Sequence, residues 1–221
     1  MQYIRRLIRL LFGLLLFSLG IAFTIQGNVG LAPWEVFHSG LSRITGISFG
    51  TIVTLAGIVI LLVAIFLKER IGIGTVLNTL LIGPMVDMIQ SVKVIPPADN
   101  FIFGVILLLI GQFIISLGSY FYIGSAFCSG PRDSLMIGLS KVFKNIPIGV
   151  IRGSIEGLVL IIGWLLGGKV GLGTIIAVLG IGFILQWTFK ILHFNVSEVK
   201  HESLLDSWKL IAASRKKEKN L

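Results

Sequence analysis

The chain has 221 residues, of which 55% are hydrophobic and only 13% are charged. A soluble domain carries about 25% charged residues, so this composition excludes a soluble globular enzyme and a disordered chain. The single cysteine, Cys128, excludes an intrachain disulfide. The net charge of +9 comes from basic residues that flank apolar blocks, so we expect contacts with the lipid bilayer and no nucleic-acid partner.

Six apolar blocks are long enough to cross about 30 Å of hydrocarbon as helices. The first block is longer than the apolar core of a signal peptide and lacks an Ala-x-Ala site, so we expect it to be retained. Two further segments, residues 31–46 and 129–145, open with Gly and Pro and carry charge; we expect short helices that re-enter the protein or lie at the interface. The six predicted spans cover residues 7–27, 48–67, 72–92, 101–124, 147–166 and 171–192.

Lysine and arginine predict the orientation, because cytoplasmic loops carry an excess of them. With the N-terminus inside, only Arg43, Lys93 and Lys169 lie outside, so both termini are expected in the cytoplasm. Residues 195–221 form a basic cytoplasmic tail. Its Leu204, Trp208 and Ile211 share a helical face, which fits either an interfacial helix held by anionic lipid or a loosely ordered tail that only enforces topology.

The two halves of the chain match each other. Residues 1–93 form a first membrane repeat, 94–100 a linker and 101–194 a second repeat, aligned at an offset of 98 that becomes 99 after a one-residue slip. Each unit holds three spans, and an odd number places the second unit upside down, as in many secondary transporters. The most informative matches are Pro33-x-Glu35 with Pro131-x-Asp133, Gly50 with Gly149, Gly72-x-Gly74-Thr75 with Gly171-x-Gly173-Thr174, Gly83 with Gly182, and Asp87 with Gln186.

Several of these motifs are shared with a known family. Gly30-Leu31-Ala32-Pro33-Trp34-Glu35, Ser48-Phe49-Gly50-Thr51 and Gly72-Ile73-Gly74-Thr75 resemble the YczE/YyaS/YitT group of bacterial integral membrane proteins, and its YczE-like branch in particular. The resemblance extends to about residue 192, and Gly130-Pro131-Arg132-Asp133 fits the same pattern in the second half. It implies an all-α membrane fold in the bacterial inner membrane. The predicted fold is therefore a polytopic all-α protein of six transmembrane helices, built as two inverted three-span repeats, each with a short Gly/Pro-interrupted re-entrant or interfacial helix.

Ionisable residues inside apolar spans are costly and usually face a cavity or a partner. Arg152 and Glu156 are one helical turn apart, which fits either a structural ion pair or a site for an anion and a proton. Arg132 and Asp133 follow Pro131 at a helix start, which suits an anion or a solvated cap. The candidate substrate-binding residues are Arg132, Arg152, Trp34 and Asn28; the candidate proton-coupling residues are Glu35, Asp133, Glu156 and Asp87.

These residues leave two main functional hypotheses. One is a small secondary transporter of an anionic or zwitterionic solute, for which a homodimer would suit so small a bundle; the other is an accessory membrane protein that supports a partner enzyme or complex. We expect no enzymatic activity, because no nucleophile and base stand at a recognised spacing. The three histidines, His38, His193 and His201, with one cysteine give no known metal-ligand spacing, so no metal and no cofactor are expected. His38 could pair with Glu35 or be a polar interface residue.

Overall fold

A computed structural model describes residues 2–199, 201–204 and 206. These residues form eight α-helices and one short 3₁₀-helix, with no β-strand among them. Six of the helices are long and apolar enough to cross a membrane, which confirms the predicted number of spans. The helices are α1 (Gln2–Gly27), α2 (Pro33–Thr45), α3 (Phe49–Phe66), α4 (Ile73–Val92), α5 (Phe101–Gly124), α6 (Pro131–Val142), α7 (Ile148–Leu165) and α8 (Leu172–Ile191).

The first helix begins earlier than the sequence predicts, at Gln2 instead of residue 7. Three basic residues, Arg5, Arg6 and Arg9, lie at this end of the helix, and the predicted span left out the first two. In the fold, two of these guanidinium groups find partners: Arg6 Nε donates to the Ser125 carbonyl at 2.8 Å, and the Arg9 guanidinium lies 4.9 Å from the centre of the Tyr120 ring. The helix therefore continues through basic residues that contact the C-terminal end of α5.

The two short segments fold as α2 and α6, each beginning with a proline, Pro33 or Pro131. Proline suits the first helical position because its fixed φ is already helical and its missing N–H would have no partner there. With 13 and 12 residues, these helices are about 20 Å long, too short to cross about 30 Å of hydrocarbon. α2 ends at Gly46, whose left-handed φ of 70° lets its N–H bond the Ser42 carbonyl.

Helices α1 and α5 pack against each other antiparallel at the centre of the molecule. Three glycine pairs, seven residues apart along each helix, bring the two backbones into direct contact, so a Cβ on any of these glycines would collide with the opposite helix. Close backbone approach of this kind lets van der Waals packing hold helices together within a membrane. The pairs are Gly13 with Gly118, Gly20 with Gly111, and Gly27 with Gly104.

The other helices surround this central pair in a reciprocal pattern. α4 packs on α1 and α8 packs on α5, while α2 packs against α7 and α6 against α3. The loops interlock in the same way, since the Gly74 N–H donates to the Phe127 carbonyl at 2.9 Å and the Gly173 N–H donates to the Val29 carbonyl at 2.8 Å. Each half therefore holds the start of the other half's last span.

The beginning of the C-terminal tail lies against the helix ends. The Glu202 N–H donates to the Ala126 carbonyl at 2.9 Å, and the Glu202 carboxylate pairs with Arg6. The Cys128 thiol, buried beneath this segment, donates to the Glu202 carbonyl at 3.2 Å. Trp208 and Ile211, on which the predicted interfacial helix depends, lie outside the described residues.

Candidate functional site

A cavity of about 420 Å³ opens among the helices, and residues of both halves line it. Most of its wall is aliphatic, with side chains such as Ile60, Leu108 and Ile181, and a cluster of charged groups occupies one part of it. Six of the eight sequence-predicted site residues line this cavity: Trp34, Glu35, Arg132, Asp133, Arg152 and Glu156. Asn28 and Asp87 are outside the lining.

The first charged pair joins the two short helices. Glu35 lies in the first turn of α2 and Arg132 in the first turn of α6, and the Arg132 Nη1 atom is 3.4 Å from the Glu35 Oε1 atom. The same guanidinium lies 4.9 Å from the centre of the Trp34 ring, an orientation that adds cation–π attraction. The carboxylate is nearly buried, so the pair is shielded from bulk solvent on the Glu35 side.

The second charged pair lies on α7. The Arg152 Nε atom donates to the Glu156 Oε1 atom at 3.0 Å, as the four-residue spacing predicts. The Arg152 side chain is 57% exposed and the Glu156 side chain 31% exposed, so both are accessible to a molecule in the cavity.

Asp133 is the cavity carboxylate that the two arginines leave without a partner. Its side chain is exposed to the cavity, and it has no hydrogen bond or ion pair with any residue the structure describes. Enclosure by the protein raises the pKa of Asp133 above the ordinary carboxyl value, although Arg152 and Arg132 act in the opposite direction. The cavity thus presents three carboxylates to two guanidinium groups.

In the repeat that the sequence predicts, Asp133 occupies the position of Glu35 but has a different neighbour. Trp34-Glu35 in the first half corresponds to Arg132-Asp133 in the second. The pair between Arg132 and Glu35 would have Trp34 and Asp133 as its counterpart, and an indole cannot neutralise a carboxylate. Both halves keep the acidic position, but only one of them carries the cation.

Three residues that line the same cavity each carry a buried polar atom with no hydrogen-bond partner in the described part of the chain. These atoms are His38 Nδ1, Gln112 Oε1 and the Tyr122 hydroxyl, on side chains that are 1%, 2% and 4% exposed. Burial, together with the nearby Arg132, lowers the pKa of His38, so its imidazole is neutral at pH 7. Buried polar atoms without partners are uncommon in proteins, and a bound solute or water would satisfy them.

Neither Tyr122 nor Gln112 is among the site residues that the sequence predicts. A signal was present in the matching halves, because Tyr122 corresponds to Thr24, and both residues line the cavity. His38 was assigned to the outer side as a polar interface residue or to a pair with Glu35; the structure places it against the cavity among the Trp34, Phe37 and Phe49 rings.

Asn28 and Asp87 have other surroundings. The Asn28 Oδ1 atom accepts a hydrogen bond from Lys169 Nζ at 2.8 Å in the loops at the far end of the spans. Asp87 lies between α3 and α4, where its carboxylate accepts from the Gly50 N–H at 2.7 Å and from the Ser48 hydroxyl at 2.5 Å. Both side chains therefore hold elements together away from the cavity. Among the described residues, no three His, Cys, Asp or Glu side chains are grouped so that they could hold a metal ion.

The profile of a family of unknown function, DUF6198, matches residues 4–190. The chain belongs to this family. It is 33% identical over 183 residues to an uncharacterized protein of Haemophilus influenzae, a match that covers 83% of each chain. It is 30% identical over 179 residues to the uncharacterized membrane protein YczE of Bacillus subtilis, covering 80% of this chain and 81% of YczE.

A further relative is YyaS of Bacillus subtilis, 27% identical over 176 residues, with 79% of this chain and 87% of YyaS covered. The resemblance to YczE and YyaS that the sequence motifs indicated is thereby confirmed, and with it the assignment to the membrane. No solved structure matches the chain with significance.

Proposed function

We propose that the protein is a small secondary transporter of an anionic or zwitterionic solute in the bacterial inner membrane, with both termini in the cytoplasm. The observation that carries this proposal is a cavity lined by charged residues from both halves and by buried polar atoms that lack partners among the described residues. Its volume of about 420 Å³ lies within the range of about 300–1,000 Å³ typical of small-molecule sites. No catalytic step is part of the proposal.

The charges of the cavity favour a zwitterion over a simple anion. Both guanidinium groups already face a carboxylate, at 3.4 Å for Arg132 and 3.0 Å for Arg152, so an added anion has to compete with Glu35 or Glu156. A zwitterion brings its own compensation, because its ammonium group can bind the Asp133 carboxylate while its acid group binds Arg152. Arg152 is better placed than Arg132 to bind the acid group, because its side chain is the more exposed of the two.

Among the four residues that the sequence suggested for proton coupling, Asp133 is the best supported. Its raised pKa and its exposure to the cavity let it change protonation when a solute arrives or leaves. Glu35 and Glu156 are each paired with an arginine, and Asp87 bonds Gly50 away from the cavity.

The reciprocal packing supports two inverted repeats with α2 and α6 re-entering the protein. α1 and α5 run antiparallel, and the loop hydrogen bonds of Gly74 and Gly173 are equivalent under exchange of the halves. α2 packs on α7 and α6 on α3, each the second span of the opposite half, and the two short helices bring Glu35 and Arg132 to the cavity. Gly/Pro-interrupted segments at matching positions in inverted repeats commonly form the binding site of a transporter.

A thermal-shift assay on the detergent-purified protein tests the proposal. The probes are the individual α-amino acids, compared with simple dicarboxylates and with primary amines of similar size. A ligand at a hundredfold excess over its Kd stabilises the folded state by about 2.7 kcal/mol, a readily measured shift. We expect a zwitterion to give the largest shift, and both Asp133→Asn and Arg152→Gln to abolish it.

The matched control is Ser154→Ala, which changes an exposed polar residue of α7 outside the cavity lining and should leave the shift intact. The accessory-protein hypothesis makes the opposite prediction. If none of the three solute classes changes the melting temperature, or if the shift persists in the Asp133→Asn/Arg152→Gln double variant, the transporter proposal is wrong.

A further inference from the structure

In the first half, α3 and α4 are closed against each other by a defined contact. Gly50 of α3 and Gly83 of α4 are buried, and a Cβ on either would collide with the carbonyl oxygen of the other. The Asp87 carboxylate fastens the junction, accepting from the Gly50 N–H and from the hydroxyl of Ser48, the residue that caps α3. Backbone contact and a carboxylate bridge together seal the two helices at this end.

In the second half, the equivalent junction between α7 and α8 is open. The sequence match places Gly149 and Gly182 where Gly50 and Gly83 are, yet both are exposed, and a Cβ built on either meets no described atom within 4 Å. Over their described lengths, α7 and α8 form no packed pair comparable to α3 and α4. The cavity extends into this space, since Arg152 and Glu156 of α7 and Ile181 and Leu185 of α8 all line it.

The residues that would fasten this second junction explain why it stands open. Gln186 occupies the position of Asp87, and Pro147 the position of Ser48, with nearly the same backbone: φ −56° and ψ 138° at Pro147 against φ −57° and ψ 149° at Ser48. A glutamine carbonyl can accept the Gly149 N–H, but hydrogen bonds to neutral groups are about half as strong as those to carboxylates. Proline offers no hydroxyl donor. The backbone geometry needed for closure is therefore present, but the hydrogen bonds that would hold α7 against α8 are weaker than those between α3 and α4.

We infer that α7 and α8 form a gate that closes by bringing Gly182 against Gly149, with Gln186 bonding the Gly149 N–H as Asp87 bonds Gly50. This inference deepens the proposed function and rests on its assignment of the cavity as a solute site. Under the predicted orientation the open junction faces the cytoplasmic half of the membrane and the closed α3–α4 junction the outer half. The structure is thus the inward-open state, and closure of the gate occludes the cavity.

Disulfide-directed crosslinking measures this closure without any solute. In a Cys128→Ala background, Pro147→Cys and Gln186→Cys form the test pair, and Ser48→Cys and Asp87→Cys the matched pair in the first half. Each pair removes the side-chain hydrogen bonds of its own junction, so the crosslink reports the approach of the glycine backbones alone. The full-length protein is reconstituted in vesicles of phosphatidylethanolamine and phosphatidylglycerol. It is then treated with a short crosslinker that carries a thiol-reactive group at each end. The first-half pair should crosslink rapidly, and the test pair more slowly but to completion, within one chain.

A blocking substitution distinguishes closure from chance encounters. Gly182→Val places a side chain where the α7 backbone must approach, so it should slow crosslinking of the test pair about tenfold or more. Leu179→Val on the same helix is the control, because this position does not take part in the closed contact. Leu179 is 63% exposed, and its counterpart Leu80 stays 45% exposed beside the closed α3–α4 pair. Leu179→Val should leave the crosslinking rate unchanged.

The outcomes separate the gate from the transporter proposal. If the first-half pair crosslinks and the test pair does not, or if the test pair links only two copies of the chain, the gate is wrong even when a solute binds. If the test pair crosslinks within one chain and Gly182→Val slows the reaction, the gate stands, even when no solute changes the melting temperature and the transporter proposal fails.

Discussion

The two halves of the chain carry the same helices in the same order, but they differ where their second and third spans meet. α3 and α4 are joined through buried Gly50 and Gly83, whereas Gly149 and Gly182 on α7 and α8 are exposed. The glycines permit close contact in both halves. We infer that the side chain at the position of Asp87 decides whether the contact forms, with a carboxylate there in α4 and the amide of Gln186 in α8.

The acidic residues of the cavity also differ between the two halves. Glu35 and Asp133 occupy equivalent positions, but Glu35 is buried beside Arg132, and Asp133 faces the cavity without an ion-pair partner among the described residues. In both comparisons the positions match in sequence and the side chains differ. Two differences, Gln186 for Asp87 and Pro147 for Ser48, separate the junctions, and Trp34 for Arg132 separates the charged pairs.

The largest expected effect on stability comes from a substitution that disrupts the closed α3–α4 junction. Gly83→Val puts a side chain against the Gly50 carbonyl in a contact with no free space, and overpacking of this kind costs about 3 kcal/mol or more. We expect Gly83→Val to lower the melting temperature of the purified protein by several degrees. The matched Gly182→Val variant should melt like the wild type, and equal destabilisation by the two substitutions would contradict the open α7–α8 junction.

A smaller effect comes from the fastening residue itself. Asp87→Ala leaves the Gly50 N–H without its acceptor and removes the bond to the Ser48 hydroxyl, which still has Thr51 as a partner. The loss of hydrogen bonds to a charged group costs about 2 kcal/mol. Gln186→Ala removes no described hydrogen bond and should cost less than about 0.5 kcal/mol. Chemical or thermal unfolding of both variants checks this difference. A neutral Asp87→Ala substitution would show that glycine packing alone closes the first half.

Much of the fold could be predicted from the sequence, because each span is an apolar block bounded by charge, Gly or Pro. The boundaries of α3 to α8 agree with the predicted spans and segments within about three residues. α1 was the exception, since its first turns owe their helical structure to partners of Arg6 and Arg9 that are distant in sequence. The seven-residue spacing of Gly13, Gly20 and Gly27 is visible in the sequence, but it does not name the partner helix.

The candidate site was less predictable for the same reason. The pairing of Arg152 with Glu156 follows from helical spacing, whereas Arg132 and Glu35 are 97 residues apart and meet only through the packing of α2 and α6. Asp87 was suggested for proton coupling or as a solvated residue, because nothing in its own helix reveals the Gly50 N–H on α3. Local spacing predicts contacts within an element, and contacts between elements depend on the assembled fold.

The smallest expected effect concerns the charge of Asp133 and depends on pH. Enclosure by the protein raises its pKa above the ordinary value of 3.8, so the folded state holds the proton more strongly than the unfolded state does. Stability therefore falls as the pH rises from the ordinary carboxyl value through the raised one, and Asp133→Asn removes that loss.

We expect Asp133→Asn to match the wild type near pH 4 and to exceed it at pH 7. The gain should be under about 1 kcal/mol, because solvent in the cavity screens the charge. The equivalent change in the other half, Glu35→Gln, removes the partner of Arg132 and should lower stability at pH 7. Thermal unfolding of the three proteins at both pH values measures the contrast. A loss of stability in Asp133→Asn at pH 7 would mean that the attraction of Arg152 and Arg132 exceeds the effect of enclosure, and the carboxylate would then be part of the fold instead of a group held ready for a solute.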